Sequence, residues 1–191
     1  MSVWTRLLAG LAFTLSAHAT TLEQLTLDDM AQKSTAIVRA RVTGSHTGTQ
    51  GSNIYTYFRL QVVETWKAPG QTTGQQMTEV AVPGGTFNGI HQSVSGAPEL
   101  KPGQEYVLFL WTSRSGLTQV VGLSQGLFRL SEEGSGKAVA QRPAASELML
   151  NHSGLPVDDR AVSMPLRDLR THVRHALVSA KLEAARLGAS K

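Results

Sequence analysis

The longest alternating segment of the chain runs from Ile54 to Trp66 and limits the fold more than any other feature. Apolar side chains fall on one face of an extended strand, while Tyr55 and Tyr57 lie on the opposite, more polar face. Strands usually have about five or six residues, so a strand of this length is expected to bend, as strands do at the corner of a barrel. The pattern therefore predicts a small, strongly curved β-sheet.

Shorter strand-like segments surround this long strand. Small apolar residues alternate with arginine from Val38 to Val42, and a polar loop is predicted from Gly44 to Asn53. The segment from Tyr106 to Trp111 is apolar throughout, which is typical of a strand buried on both faces. Together they predict a mainly β fold, a small OB-like barrel of five to six strands, closed or partly open. The other predicted strands are Gln76–Val82, Thr86–Gly96 at an edge, Thr118–Leu123, Leu127–Leu130 and Lys137–Gln141.

Two helices are predicted outside the barrel. Thr26 followed by Asp29 is an N-capping pattern and predicts a short helix that ends near Lys33. A longer amphipathic helix is predicted over residues 164–188, with Pro165 in its first turn. Its apolar stripe is expected to pack on the barrel. The stripe consists of Leu166, Leu169, Val173, Leu177, Ala180, Ala184 and Leu187.

The N-terminal residues have the pattern of a secretory signal peptide. Arg6 precedes an apolar run from Leu7 to Leu15, and Ala17-His18-Ala19 is a small-x-small cleavage site. The apolar run is too short to span a bilayer, which takes about 20 residues. A periplasmic or extracellular protein is therefore expected. The predicted organisation is a signal peptide at 1–19, a barrel domain at 20–142, a loop or linker at 143–163 and the helix at 164–188.

Composition excludes several kinds of site. The chain has no cysteine, so it has no disulfide, thiolate metal site, cysteine nucleophile or lipid-modified cysteine. Its formal net charge is +4, and the residues from Val157 onward contain 7 basic and 4 acidic side chains. This excess is too small for a nucleic-acid-binding protein, which would carry a dense basic face. No metal or other cofactor is expected.

The segment Gly122-Leu123-Ser124-Gln125-Gly126 matches the G-x-S-x-G pattern of serine hydrolases, and Asp158 or Asp159 and then His172 follow in hydrolase order. That motif requires a turn from a strand into a helix. Strand-like sequence lies on both sides here, so a glycine-flanked hairpin or bulge is the favoured interpretation, and no catalytic residue is predicted. A small serine hydrolase that uses Ser124 is the alternative.

Two features of the last helix suggest possible contacts. His172 and His175 are three residues apart, a spacing that can bind a metal, but nearby arginines oppose a cation and solvated histidines are favoured. Four basic residues share an arc of about 60° beside the apolar stripe. They could contact anionic lipid or an acidic partner, although a solvated flank is favoured. These four residues are Arg167, Arg170, Arg174 and Lys181.

Two glycine-rich corners, Pro83-Gly84-Gly85 and Gly96-Ala97-Pro98, flank a mostly polar stretch with Phe87 as its aromatic anchor. Glycine permits close backbone approach, as at a barrel rim that contacts a ligand, but a pair of tight turns would give the same sequence. OB barrels bind through rim loops and one sheet face, so these corners and the two exposed tyrosines form the predicted binding site. The predicted site residues are Tyr55, Tyr57, Pro83, Gly84, Gly85, Phe87, Gly96 and Pro98.

Several short motifs between about Thr20 and Leu130 resemble an uncharacterised family of exported bacterial proteins. The order of strands is also distantly similar to the netrin-like OB barrel of tissue inhibitors of metalloproteinases. Those inhibitors place an N-terminal cysteine on the protease zinc, and this chain has none, so the similarity implies the fold alone. The motifs are Thr21-Leu22-Glu23, Ile37–Val42, Ile54-Tyr55-Thr56, Val80–Gly85, Val94–Pro98 and Gly103–Leu110.

The sequence therefore favours a non-enzymatic binding protein that recognises a protein partner, conceivably a protease, at the cell envelope. This step rests on the fold, which by itself does not determine function. Besides the hydrolase, a third hypothesis is a structural envelope protein that associates with the membrane surface through its basic C-terminal helix.

Overall fold

The computed structural model describes residues 21–68, 77–133 and 137–188. The predicted signal peptide at residues 1–19 lies outside the described residues. Within the described ranges the protein is mainly β with two helices, as predicted.

The secondary-structure elements are named here in chain order. The helices are α1 (Leu27–Lys33) and α2 (Leu166–Gly188), and a 3₁₀ turn covers Leu123–Gly126. The strands are β1 (Thr21–Glu23), β2 (Ala36–Gln50), β3 (Asn53–Lys67), β4 (Met77–Pro83), β5 (Gly85–Phe87), β6 (Ile90–Gln92), β7 (Glu105–Thr112), β8 (Thr118–Val120), β9 (Leu127–Glu133), β10 (Lys137–Arg142), β11 (Leu148–Leu150), β12 (Pro156–Val157) and β13 (Val162–Pro165).

An antiparallel sheet of eight strands forms the body of the protein. Its order is β13-β10-β9-β7-β2-β3-β4, and β8 pairs with the end of β7. Among the described residues no hydrogen-bonded pairing joins the two ends of this order, so the sheet is open. The closed barrel of five to six strands is therefore not confirmed. Two smaller sheets accompany the body: β1-β11-β12, in which β1 and β11 run parallel, and the hairpin β5-β6.

The sheet is buried on both of its faces near its centre. In β7, Tyr106 and Leu108 belong to one buried cluster, while Val107 and Phe109 belong to another. The first cluster, the inner core, lies on the concave side between β2, β3, β4, β7 and β8. The second, the helix-side core, lies between the opposite face of the sheet and the two helices. The expected burial of this strand on both faces is confirmed as far as Leu110, which is 1% exposed.

Strand β2 is much longer than predicted. It continues through most of the segment predicted as a loop, and it pairs with β3 from Ile37 to Gln50. Register shifts between Ile37 and Gly44 interrupt the simple alternation of side chains. The extra residues are Trp66 and Val63 on β3 and Thr43 on β2, and each bends the strand locally. From Gly44 to Gln50 the pairing is regular. The loop prediction for residues 44–53 was wrong because this polar Gly/Ser/Thr segment has no apolar alternation, and its strand structure comes from pairing with β3.

Helix α1 has the predicted capping box. The backbone N–H of Asp29 donates to Thr26 Oγ1 at 3.1 Å, and the N–H of Thr26 donates to Asp29 Oδ2 at 2.9 Å. At the other end, Lys67 Nζ donates to the carbonyls of Ala31 and Gln32, which have no partners within the helix. Burial lowers the pKa of Lys67. The last residue of β3 thus fixes the end of α1.

Helix α2 packs on the sheet through only part of its predicted stripe. Leu169, Val173 and Ala176 are buried in the helix-side core. From Lys181 to Gly188 every residue is exposed, including Leu187 at 71%. The expectation that the stripe packs along its full length was therefore wrong for its last two turns. The helix also begins at Leu166, since Pro165 is the last residue of β13.

The segment predicted as a loop or linker, residues 143–163, contains β11, β12 and the start of β13. It is joined to the body by a buried ion pair in which Arg142 donates to both carboxylate oxygens of Asp159, at 2.5 and 3.1 Å. The N–H of Ala145 also donates to Asp159 at 2.8 Å. Burial acts to raise the pKa of Asp159, but these hydrogen bonds outweigh it and hold that pKa below its ordinary value.

Candidate functional site

The two predicted tyrosines lie on the outer face of the sheet, near the tip of the β2–β3 hairpin. Each is the central member of a row that crosses β2, β3 and β4. The neighbours of the tyrosines in these rows are small or flat side chains, so the rings are not enclosed by tall neighbours. The rows are Gly48, Tyr55 and Pro83, and next to it His46, Tyr57 and Ala81.

The rings form a continuous aromatic surface. His46 stacks on Tyr57 with the ring centroids 5.1 Å apart and the planes at 15°. Tyr55 and Tyr57 are 6.2 Å apart and tilted by 47°. A Cβ atom placed on Gly48 would lie 3.3 Å from the ring of Tyr57, so only glycine leaves this ring its full room. We call the surface formed by His46, Tyr55 and Tyr57 the aromatic face.

Charged side chains border the aromatic face. Glu79 approaches His46, with 3.7 Å between its Oε1 and the imidazole Nδ1, and both side chains are about half exposed. Arg59 lies opposite Glu79 in the β3–β4 pairing, and its guanidinium passes over Gly44. The surface therefore has an aromatic centre with charges of both signs at its border.

The first glycine corner supports the same hairpin from the other side. Gly84 and Gly85 have φ angles of 101° and 132°, which side chains other than glycine rarely adopt. A Cβ on Gly85 would lie 2.5 Å from Thr56 Oγ1, and that hydroxyl donates to the carbonyl of Gly84 at 2.9 Å. Thr56 points away from the aromatic face, because it alternates with Tyr55 and Tyr57 along β3. This corner is a tight structural turn beneath the tyrosines.

The segment Thr86–Gly96, predicted as an edge strand, contains most of the short hairpin β5–β6. Phe87 is half-buried and pairs across the hairpin with Ile90, which is 66% exposed. The hairpin is tied to the β2–β3 tip, because the N–H of Ile54 donates to Gln92 Oε1 at 2.8 Å. The structure therefore brings Phe87 and the first corner to the end of the hairpin that carries the aromatic face.

The second corner, Gly96 and Pro98, lies apart from the aromatic face. Gly96 packs against the side chain of Glu147, and Pro98 is buried. Gly96 and residues 143–147 line a cleft of about 560 Å³, whereas Pro98 is not part of its lining. The predicted site is thus divided between a sheet face and a cleft.

The cleft contains both acidic and basic groups, and Ser124 lies at its lining. Tyr106 and Leu127 of the inner core form part of its surface, and the N–H of Lys101 donates to the hydroxyl of Tyr106 at 3.0 Å. Its charged lining residues are Glu99, Lys101, Arg129 and Glu147.

The residues that matched a hydrolase pattern do not form a triad. Ser124 lies in the 3₁₀ turn between β8 and β9, and not at a hairpin, a bulge or a turn from a strand into a helix. Asp159 is bound to Arg142, and His172 Nε2 lies 2.9 Å from Asp28 Oδ1. Among the described residues, no hydrogen bond joins Ser124 to either of them.

The same turn contains a structural residue that the sequence did not reveal. Gln125 is 1% exposed, and its side-chain amide bonds to two backbone groups of the N-terminal segment. Its Oε1 accepts from the N–H of Leu25 at 2.9 Å, and its Nε2 donates to the carbonyl of Glu23 at 2.9 Å. Gln125 therefore fixes β1 to the body. A glutamine between a serine and a glycine carries no sequence signal for this role.

The predicted basic patch on α2 is partly neutralised. Arg170 forms an ion pair with Glu64, and its guanidinium lies 5.9 Å from the ring centroid of Trp66. Arg167 pairs with Asp168 on the same helix. Arg174 and Lys181 form no ion pair with any residue that the structure describes. The net positive charge of the patch therefore comes from these last two residues.

Two further properties concern the described residues only. No group of three or more histidine, aspartate or glutamate side chains there is arranged to hold a metal ion. None of the helices described is both long and apolar enough to cross a membrane.

Comparisons with protein-family models, with curated proteins and with solved structures found no match to this chain.

Proposed function

We propose that this chain is an exported binding protein that recognises a protein partner at the cell envelope through its aromatic face. The observation that carries the proposal is the cluster of Tyr55, Tyr57 and His46 on a part of the sheet that lies away from the helices. Aromatic residues are enriched at protein interfaces, because they supply a large contact area while few rotatable bonds become fixed. The predicted signal peptide supports the compartment.

The fold that we propose is a partly open OB-like barrel. Strands β2, β3, β4, β7 and β8 surround the inner core, and β4 lies beside β8 without a hydrogen-bonded pairing among the described residues. OB barrels bind on a sheet face and through the adjoining loops. In this arrangement the aromatic face and the hairpin β5–β6 occupy one end of the barrel wall.

Site-specific photocrosslinking in cells tests this function. A benzoylphenylalanine at Tyr57 should form an adduct with one defined protein in the producing cells. The control position is Arg114, an exposed residue in the turn between β7 and β8. The same adduct pattern at both positions, or none at Tyr57 and Tyr55, would contradict the proposal.

A pair of glycine variants tests whether a lost adduct reflects displacement of the aromatic face and not unfolding of the protein. Gly48→Leu places a side chain against the ring of Tyr57, so it should displace the aromatic face while the two cores stay unchanged. We expect the adduct at position 55 to fall in this variant. Gly188→Leu at the end of α2, where φ is not positive and a Cβ meets nothing within 4 Å, is the matched control and should leave the adduct intact.

A further inference from the structure

The exposed side of α2 carries a sector that contains no acidic residue. At 100° per residue, the four basic residues of the predicted patch share an arc of about 60°, and Val178 and Leu182 extend it by about 60°. Asp168 and Glu183 fall outside this sector. We call the whole sector the basic arc. Its members are Arg167, Arg170, Thr171, Arg174, Val178, Lys181, Leu182 and Ala185.

The basic arc combines charge with exposed apolar side chains. Val178 is 53% exposed and Leu182 is 60% exposed, and the two lie one turn apart on the helix. Arg174 and Lys181 lie beside them, and these two bases have no ion-pair partner in the described part of the chain. From Arg167 to Lys181 the arc is about 21 Å long, at 1.5 Å per residue.

A shallow groove of about 350 Å³ runs along the edge of the basic arc, between α2 and the end of β3. Trp66, Val173 and Leu177 line it, and Arg174 and Lys181 lie at its border. The indole Nε1 of Trp66 is buried and has no hydrogen-bond partner among the described residues. Val178 of the basic arc also lines this groove, together with Glu64, the ion-pair partner of Arg170.

We propose that the basic arc docks this protein on an anionic membrane surface. Positive side chains near such a surface are attracted to acidic headgroups, and adjacent aliphatic side chains enter the boundary with the acyl chains. Only two bases are unpaired, so the binding is weak, reversible and sensitive to salt. This docking is independent of the aromatic face, which lies at the opposite end of the β2–β3 hairpin from the strand residues that α2 contacts.

Vesicle co-sedimentation of the purified chain tests the proposal. The chain should bind vesicles of 30% phosphatidylglycerol in phosphatidylcholine at low salt, and it should be released near 0.5 M NaCl, where the screening length is roughly 4–5 Å. It should not bind pure phosphatidylcholine. Equal binding to both kinds of vesicle, or no binding to either, would overturn the proposal.

Paired substitutions locate the contact. Arg174→Gln with Lys181→Gln should lower the partition coefficient about thirtyfold, since each base near an anionic surface contributes a factor of about five. Val178→Ser with Leu182→Ser should lower it as well without a change in charge. Arg114→Gln with Lys101→Gln removes two exposed bases elsewhere and should have little effect. A thirtyfold loss in this control would assign binding to net charge and overturn the proposal.

If the basic arc bound an acidic protein and not a bilayer, competition with soluble polyglutamate would give a different result. Soluble polyglutamate added in excess competes for any purely electrostatic contact, but it cannot replace the apolar contacts of Val178 and Leu182. We therefore expect polyglutamate to bind more weakly than the anionic vesicles and to bind the Val178→Ser, Leu182→Ser variant unchanged. If polyglutamate bound as tightly as the vesicles, the proposal of membrane docking would be rejected and an acidic macromolecule would be the partner.

Discussion

The two ends of the β2–β3 hairpin differ in what covers their outer face. At the base, Ile37 is 0% exposed and Trp66 is partly buried, because α1 and α2 pack over them in the helix-side core. At the tip, the aromatic face occupies the same side of the same two strands, and its side chains border solvent. One pair of strands thus supplies a core surface at one end and an uncovered aromatic surface at the other.

Register shifts in the β2–β3 pairing lie between these two regions. They occur between Ile37 and Gly44, where the strand leaves the helix-covered base. Beyond the last shift, Gly44, His46 and Gly48 align with Arg59, Tyr57 and Tyr55, whereas Val42 aligns with Leu60 of the inner core. The bulged segment thus places even-numbered residues on the outer face, opposite to the arrangement at Ile37. The aromatic face depends on this change of phase.

The largest expected effect concerns the helix-covered base. Phe109 is fully buried in the helix-side core, and its ring lies 5.8 Å from that of Phe128. Phe109→Ala should lower the free energy of unfolding by about 3–5 kcal/mol, the usual cost of such a cavity. Denaturant melts measure this change. Trp111→Ala on the same strand, where the side chain is 46% exposed, is the control and should cost less. A loss below about 1 kcal/mol for Phe109→Ala would show that the base is not a packed core.

The buried ion pair should have the next largest effect. Asp159→Asn leaves the guanidinium of Arg142 without its counter-charge, and losing one member of a buried pair costs about 3 kcal/mol or more. Asp168→Asn is the control, because its pair with Arg167 is exposed and should contribute little.

The contribution of Asp159 has a defined pH dependence. Its folded-state pKa lies below the ordinary value of 3.8, so the unfolded state takes up the proton first as the pH falls. The stability difference between the wild type and Asp159→Asn should therefore be constant above about pH 5 and should shrink as the pH falls below about 4. A difference that grows on acidification would contradict this assignment.

Much of the fold follows from local patterns. The capping box of Thr26 and Asp29 and the double burial of β7 are set by side chains within a few residues of one another, so the sequence predicts them. The length of β2 and the open order of the sheet depend on which distant strands pair. Bulges also break the period-two signal on which strand prediction relies. These features could not be predicted in the same way.

The candidate site was predictable in parts. The alternation of β3 places Tyr55 and Tyr57 on one face, and that arrangement is present. Gly48 and His46 align with the tyrosines through the register of β2. This alignment could not be predicted, because residues 44–53 were predicted as a loop. The two glycine corners have a similar sequence, yet one supports the tip and the other borders the cleft, because different distant segments pack against them. Gln125 and Arg142 gave no local signal for their buried hydrogen bonds.

A moderate effect is expected at the inner side of the tip. Gly85→Ala brings a Cβ within 2.5 Å of Thr56 Oγ1 at a φ of 132° and should lower the free energy of unfolding by about 1–3 kcal/mol. Gly89→Ala in the same hairpin has a positive φ but no neighbour within 4 Å. The difference between the two variants in denaturant melts measures the close contact with β3. Equal losses would show that the tip does not depend on this corner.

The smallest expected effect on stability is at the aromatic face itself. Tyr57→Ala removes the stack with His46, but one side of the ring already borders solvent, so the free energy of unfolding should fall by about 1 kcal/mol or less. In the same variant, a photocrosslinker at position 55 should lose most of its adduct, because buried aromatic anchors carry much of the energy of a protein interface. Thermal melts and adduct yields measured on one preparation separate the two effects. If Tyr57→Ala destabilised the chain as much as Phe109→Ala, the tip would be a second core surface, and its tyrosines would be retained for folding and not for a partner.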